Sequence, residues 1–147
     1  MSEAEVEEIR MAGFLHDIGM IGIPDSIVDK PDTLTEEEAA RIRSHCSVGA
    51  AIIEPMKHLG ATTRFVLEHH ERLDGSGYPA GKRGDEISLG GQIVAISEAW
   101  TGILESRAYR EGRDREEGME ILRTHEGVWF SPEITDALIQ SDVGVIG

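Results

Sequence analysis

Two histidine clusters, each closing a helical stretch, constrain this chain more than any other feature. His16-Asp17 ends one stretch, and His69-His70-Glu71-Arg72-Leu73-Asp74-Gly75-Ser76-Gly77-Tyr78-Pro79 ends another. Imidazole nitrogens beside a carboxylate suit first-row transition metals such as iron, manganese or zinc, and a carboxylate can bridge two such ions. Two adjacent ions activate water and stabilise both the attacking and the leaving oxygen of a phosphoester. Use of this donor set requires a fold that brings the ends of separate helices together.

The rest of the chain reads as helices punctuated by Gly and Pro, with no internal repeat. Ser2 with Glu5 forms a capping box, and Val6, Ile9 and Gly13 recur at helical spacing with His16 next on the stripe, so His16 is expected to point inward. Gly19 stops this helix, and Gly22-Ile23-Pro24 turns the chain toward Lys30-Pro31. Thr35 with Glu38 is a second capping box. It opens one helix whose stripe of Ala39, Ile42, Cys46, Gly49 and Ile53 runs to Pro55. A third helix starts near Thr62 and carries Phe65, Val66 and His69 on one side until Asp74-Gly75-Ser76-Gly77 forces a loop. Adjacent His69 and His70 cannot share one helix face, so one of them could be a core or capping residue.

Ser88 through Leu104 reads as a long buried helix, with Ile93, Ile96, Trp100 and Ile103 on one stripe and Glu98 on another face. The β-branched run from Gln92 to Ile96 admits a strand, but the 3.6-residue period continues past it and favours helix. Asp114 with Glu117, and Ser131-Pro132, start two short C-terminal helices. The expected fold is all-α.

The 147 residues, 39% of them apolar, suffice for one core, so residues 1–147 are expected to form a single domain. No apolar run approaches the roughly 20 residues needed to span a bilayer, and the acidic N-terminus lacks the features of a secretory signal. A soluble, cytoplasmic setting is therefore expected. The lone Cys46 reads as a small buried side chain. A net charge of −14 argues against binding long nucleic acid, which needs a basic surface. An anionic substrate would have to be drawn in locally, by metal cations and a few arginines. Most of the glutamates read as solvated helix faces.

Taken in order, these segments resemble an HD-GYP domain, a branch of the HD metal-dependent phosphohydrolases. The likeness runs through Leu15-His16-Asp17-Ile18-Gly19, Ile21-Gly22-Ile23-Pro24-Asp25, Lys30-Pro31 and Ser44-His45. It is densest from His69 to Pro79 and continues through Ile93-Val94-Ala95-Ile96, Arg107-Ala108-Tyr109-Arg110 and Phe130-Ser131-Pro132-Glu133. The resemblance implies an HD-like helical bundle with a Gly-rich loop, holding two transition-metal ions: iron or manganese, with zinc or nickel as alternatives. It implies hydrolysis of cyclic di-GMP to pGpG or GMP in bacterial second-messenger signalling. Asp17 would be the catalytic bridging carboxylate, with His16 and Glu98 on one ion and His45, His69 and His70 on the other. Arg107 and Arg110 fall where family members carry basic residues near the substrate phosphates. Gly77, Tyr78 and Pro79 are expected to brace the loop, and the resemblance adds pocket shaping or recruitment of GGDEF-type domains.

Several positions depart from the family pattern. Met20 stands where a lysine usually meets a substrate phosphate, and loss of such a contact costs on the order of 2–4 kcal/mol in the transition state. Glu98 replaces an aspartate ligand, and Thr101 replaces a second acidic residue. The resemblance also implies a helix upstream of the His-Asp pair with its own histidine, which is expected to lie in a longer protein of which this is a fragment, to come from a partner subunit, or to be missing from an incomplete first metal site. A lost helix would expose core surface, and a homodimer is one expected consequence. These departures define a second reading, a degenerate module that binds nucleotide or a protein partner without turnover. Hydrolysis of another nucleotide is a third. Arg72 and Asp74 are expected to form an ion pair that supports the His-rich loop. His58 and His125 match nothing in the pattern and read as surface or packing residues.

Overall fold

Side-chain caps decide where the helices begin. Ser2 accepts a bond from the Glu5 amide while the Glu5 carboxylate takes the Ser2 amide, opening α1 (Glu3–Leu15). Thr35 and Glu38 repeat the device for α3 (Glu36–Arg43), after the single turn α2 (Asp25–Val28). Ser88 and Asp114 cap α6 (Leu89–Leu104) and α7 (Arg115–Thr124). Between these lie α4 (His45–Ile53) and α5 (Thr62–Glu68), and α8 (Pro132–Val143) closes the chain. The computed structural model describes residues 1–105 and 112–143. Among them there is no sheet, only two isolated bridges, Asp74 with Arg83 and Glu126 with Phe130. The stretch from Gln92 to Ile96 lies inside α6, so the helical period rather than the β-branched content decided it.

The single helix expected from Thr35 to Pro55 is two helices, broken at Ser44. The Ser44 hydroxyl donates to the Arg41 carbonyl at 2.6 Å, a local bond that competes with the helical ladder. The apolar stripe crosses the break without a change of period, which is why the pattern alone reads as continuous.

α6 is the shared wall of two cores. On one side Val94 joins Ala12, Ile53, Leu59, Phe65 and Val66 from α1, α4, α5 and the turn before α5. On the other, Ala95, Ile96 and Trp100 pack with Leu122 of α7 and Phe130 ahead of α8. Each large apolar side chain so buried contributes about 1.5–3 kcal/mol. A 3₁₀ turn, Ile18–Gly22, follows α1 and lies against α4. A Cβ at Gly19 would fall 2.0 Å from the His45 carbonyl oxygen and 2.5 Å from the Gly49 nitrogen, so only glycine permits this backbone-to-backbone contact. The contact sets the residue just before the turn, Asp17, beside the start of α4. No helix among the described residues is long and apolar enough to cross a membrane.

Candidate metal centre

Helix ends supply the cluster. His16 is the C-terminal cap of α1, Asp17 follows it, His45 begins α4, and His69 and His70 occupy the turn after α5. Three of the rings are held by one local device. Nδ1 of His16, His45 and His69 lies 2.7, 2.7 and 2.6 Å from the carbonyl oxygens of Gly13, Ile42 and Val66, each three residues earlier. A carbonyl can only accept, so Nδ1 carries a hydrogen in each ring, and in a neutral ring Nε2 is left to present its lone pair.

These lone pairs converge. Nε2 of His45 stands 3.2 Å from Nε2 of His69. The two oxygens of Asp17 divide between partners, Oδ1 lying 3.4 Å from Nε2 of His45 and Oδ2 3.4 Å from Nε2 of His16. Ring centroids of His69 and His70 are 4.2 Å apart, and His70 Nε2 is 3.9 Å from Glu98 Oε1. His16, Asp17, His45, His69, His70 and Glu98 thus form one group. The face-sharing limit on adjacent His69 and His70 does not operate, because α5 ends at Glu68 and the turn lets both rings reach the group. His16 sits at the mouth of the cluster, only partly inward, while His45 and His69 are buried. Arg107 and Arg110 lie outside the described residues.

The geometry fits a shared cation. Ligands about 2.0–2.1 Å from a tetrahedral ion are separated by about 3.3 Å, close to the 3.2–3.4 Å spacings of the nitrogens and carboxylate oxygens here. Protonation agrees with geometry. Burial holds His69 down to about 4 and His70 down to about 3, with neighbouring imidazoles adding to the effect, so both are neutral donors near neutral pH. His16 differs: its bond to Asp17 raises it to about 9, so Nε2 holds a proton near neutral pH that a bound ion would displace, and His16 in turn lowers the Asp17 carboxyl.

The Gly-rich loop is fastened to the cluster. The Tyr78 ring stacks on His70 at 4.7 Å, and the Tyr78 amide donates to the His70 carbonyl. A Cβ at Gly77 would meet that carbonyl oxygen at 2.4 Å. Buried Glu71 accepts from the amides of Ala80 and Lys82 at 2.7 and 2.9 Å. Glu68, 1% exposed, gathers Arg64, Lys82 and both the amide and hydroxyl of Ser88. Neither carboxylate is the solvated charge expected of most glutamates. Their buried roles depend on partners far along the chain, which no local pattern marks. Cys46 is buried as expected, and its sulfur lies 3.6 Å from Nε2 of His45 within the cluster.

Arg72 and Asp74 do not form the expected pair. The Arg72 guanidinium lies 3.7 Å over the Trp129 ring, whose attraction for a cation replaces a carboxylate, and Asp74 accepts from the Ser76 amide in its own turn. His125 stacks on Trp129 as a packing residue, and His58 is exposed. Two clefts flank Glu98. One, of about 340 Å³, is lined by His70, Arg72, Trp129 and Phe130; the other, of about 490 Å³, by His16, Asp17, Ser97 and Thr101.

Comparison with known families agrees with this arrangement: residues 1–134 match the HD domain family. The chain belongs to the HD domain family. This HD domain is 40% identical over 144 residues to a cyclic di-GMP phosphodiesterase of Thermotoga maritima, covering 95% of this chain and 39% of that protein. It is 38% identical over 147 residues to the cyclic di-GMP phosphodiesterase response regulator RpfG of Xanthomonas campestris pv. campestris, covering 95% and 38%. A 3'3'-cGAMP-specific phosphodiesterase 2 of Vibrio cholerae is 33% identical over 142 residues, covering 95% and 27%. The HD domain therefore spans less than two fifths of the length of these relatives. Its fold superposes on the crystal structure of a cyclic GMP-AMP specific phosphodiesterase of Vibrio cholerae with a TM-score of 0.73 at 16% identity, over 98% of this chain and 39% of that one.

Proposed function

We propose that residues 1–147 form a single HD-GYP catalytic domain that hydrolyses cyclic di-GMP to pGpG or GMP in bacterial signalling, using two transition-metal ions. One observation carries the reading: Asp17 directs its two oxygens at two different histidines, as a bridging carboxylate must. Asp17 would bridge, His16 and Glu98 would complete one ion's set, and His45, His69 and His70 the other's. Iron or manganese suits this imidazole and carboxylate set, with zinc or nickel as alternatives. When bound, such ions supply water activation and charge neutralisation at phosphorus.

The chain's own groups do the rest. Neutral His69 and His70 offer lone pairs without first losing protons. The clefts on either side of Glu98 can take the two halves of a cyclic dinucleotide, with Arg72 bringing positive charge to one of them. Arg107 and Arg110 are proposed to meet substrate phosphates. Gly77, Tyr78 and Pro79 brace His70, a role supported by the Tyr78 stack. A GGDEF-type partner or a second copy of the chain would bind outside this centre.

The test is hydrolysis by protein loaded anaerobically with iron or manganese, cyclic di-GMP competing against 3'3'-cGAMP. Faster turnover of cyclic di-GMP supports the reading; faster turnover of the mixed dinucleotide reassigns the substrate, and no turnover with metal bound favours the non-catalytic module. That second reading draws on Met20, which puts an apolar side chain three residues after Asp17. Met20→Lys raises activity if the centre is a weakened enzyme and leaves it absent if the module only binds.

A further inference from the structure

The sulfur of Cys46 lies 3.6 Å from Nε2 of His45, and donor atoms of His45, Cys46, His69 and His70 all fall within 4.8 Å of one another. We infer that Cys46 is a thiolate ligand of the ion held by His45, His69 and His70, which adds one sulfur to the three imidazoles and the bridging Asp17 in that half of the centre. The inference rests on the reading of the cluster as a metal centre and goes beyond it in naming a soft donor.

Spacing supports it. A tetrahedral ion bound at about 2.3 Å to sulfur and about 2.0–2.1 Å to nitrogen separates sulfur from nitrogen by about 3.6 Å and nitrogen from nitrogen by about 3.3 Å. The observed separations are 3.6 and 3.2 Å. A second observation is independent of the cysteine. His45 and His69 are 2% and 1% exposed, and both Nδ1 hydrogens are already given to carbonyl oxygens. Their Nε2 atoms then face each other with neither Nδ1 hydrogen free to bridge them, and a cation placed between them would take both lone pairs. Cys46, 0% exposed, is positioned beside that point in the first turn of α4.

Binding forms a metal–sulfur bond as the S–H proton leaves to solvent, with no change of oxidation state. A sulfur donor also shifts preference toward zinc or iron(II) and away from manganese.

The experiment replaces the native ion with cobalt(II) in the full chain and records its absorption. Wild-type protein should show a near-ultraviolet thiolate-to-cobalt charge-transfer band. Cys46→Ser should still bind cobalt but lose the band, and its zinc affinity should fall about 10- to 100-fold while manganese affinity holds. Cobalt bound without the band, or a band that survives in Cys46→Ser, overturns the inference and leaves the metal centre standing. Failure of any cobalt to bind overturns both. If the variant does not fold, X-ray absorption of zinc-loaded wild type decides: one sulfur at about 2.3 Å supports the assignment and an all-nitrogen and oxygen shell refutes it.

Discussion

His45 and His69 point their Nε2 atoms at each other across 3.2 Å, while each ring gives its Nδ1 hydrogen to the carbonyl three residues before it. With both Nδ1 hydrogens committed to carbonyls, the two Nε2 atoms meet as acceptors. A bound ion turns both lone pairs into ligands. His69→Ala should therefore lower transition-metal affinity by more than about 100-fold, a larger loss than removal of an outer partner of a ligand causes. Metal titration of the purified variant checks this, and unchanged affinity would place the ion elsewhere.

The metal-free protein should have its stability maximum near neutral pH. His69 and His70 have folded-state values depressed to about 4 and about 3, mainly by burial, so the stability present above the ordinary value of 6.5 is lost as pH falls through the folded values. His16 has the opposite sign. Held by Asp17 and raised to about 9, it contributes stability that is complete below 6.5 and fades as pH rises through 9. Urea midpoints of chelator-treated protein between about pH 4 and pH 10 should fall on both sides.

Gly19→Ala should cost about 3 kcal/mol, the upper end for overpacking, because the new methyl would meet the backbone of α4 rather than a movable side chain. It should also weaken metal binding by pushing Asp17 away from His45. Gly13→Ala is the control. Its Cβ would have nothing within 4 Å, and removing a glycine from the last turn of α1 should add up to about 0.5–1 kcal/mol. Denaturant unfolding of the two variants separates them.

Glu68→Ala should destabilise the domain by about 2–4 kcal/mol. It strips a buried carboxylate from Arg64, Lys82 and Ser88, and the loss stays below the full cost of breaking a buried pair because Arg64 and Lys82 reach solvent. Lys82 also connects this carboxylate to the Gly-rich loop, since its amide donates to Glu71. Urea unfolding measures the cost, and a change within about 0.5 kcal/mol would reduce the cluster to surface charge.

Features written in neighbouring residues were legible before any coordinates. The caps at Ser2, Thr35 and Asp114 set helix starts because both partners of each bond lie within one turn. The histidines and Asp17 were readable as one donor set from residue type and order. What escaped depends on contacts across the chain or on bonds a stripe does not register. The Ser44 break leaves the apolar period intact. The joint approach of His69 and His70 depends on α5 stopping at Glu68, beside a loop held by Glu71 through Ala80 and Lys82. Cys46 occupies a core position of its helix and is also next to the cluster, and hydrophobic patterning cannot separate those two roles.

The most direct test of the account is the metal content of wild-type protein purified without oxygen. The account predicts about two transition-metal ions per chain, the number a bridging Asp17 implies. Protein that carries none, and takes up none when iron, manganese or zinc is supplied, would contradict it.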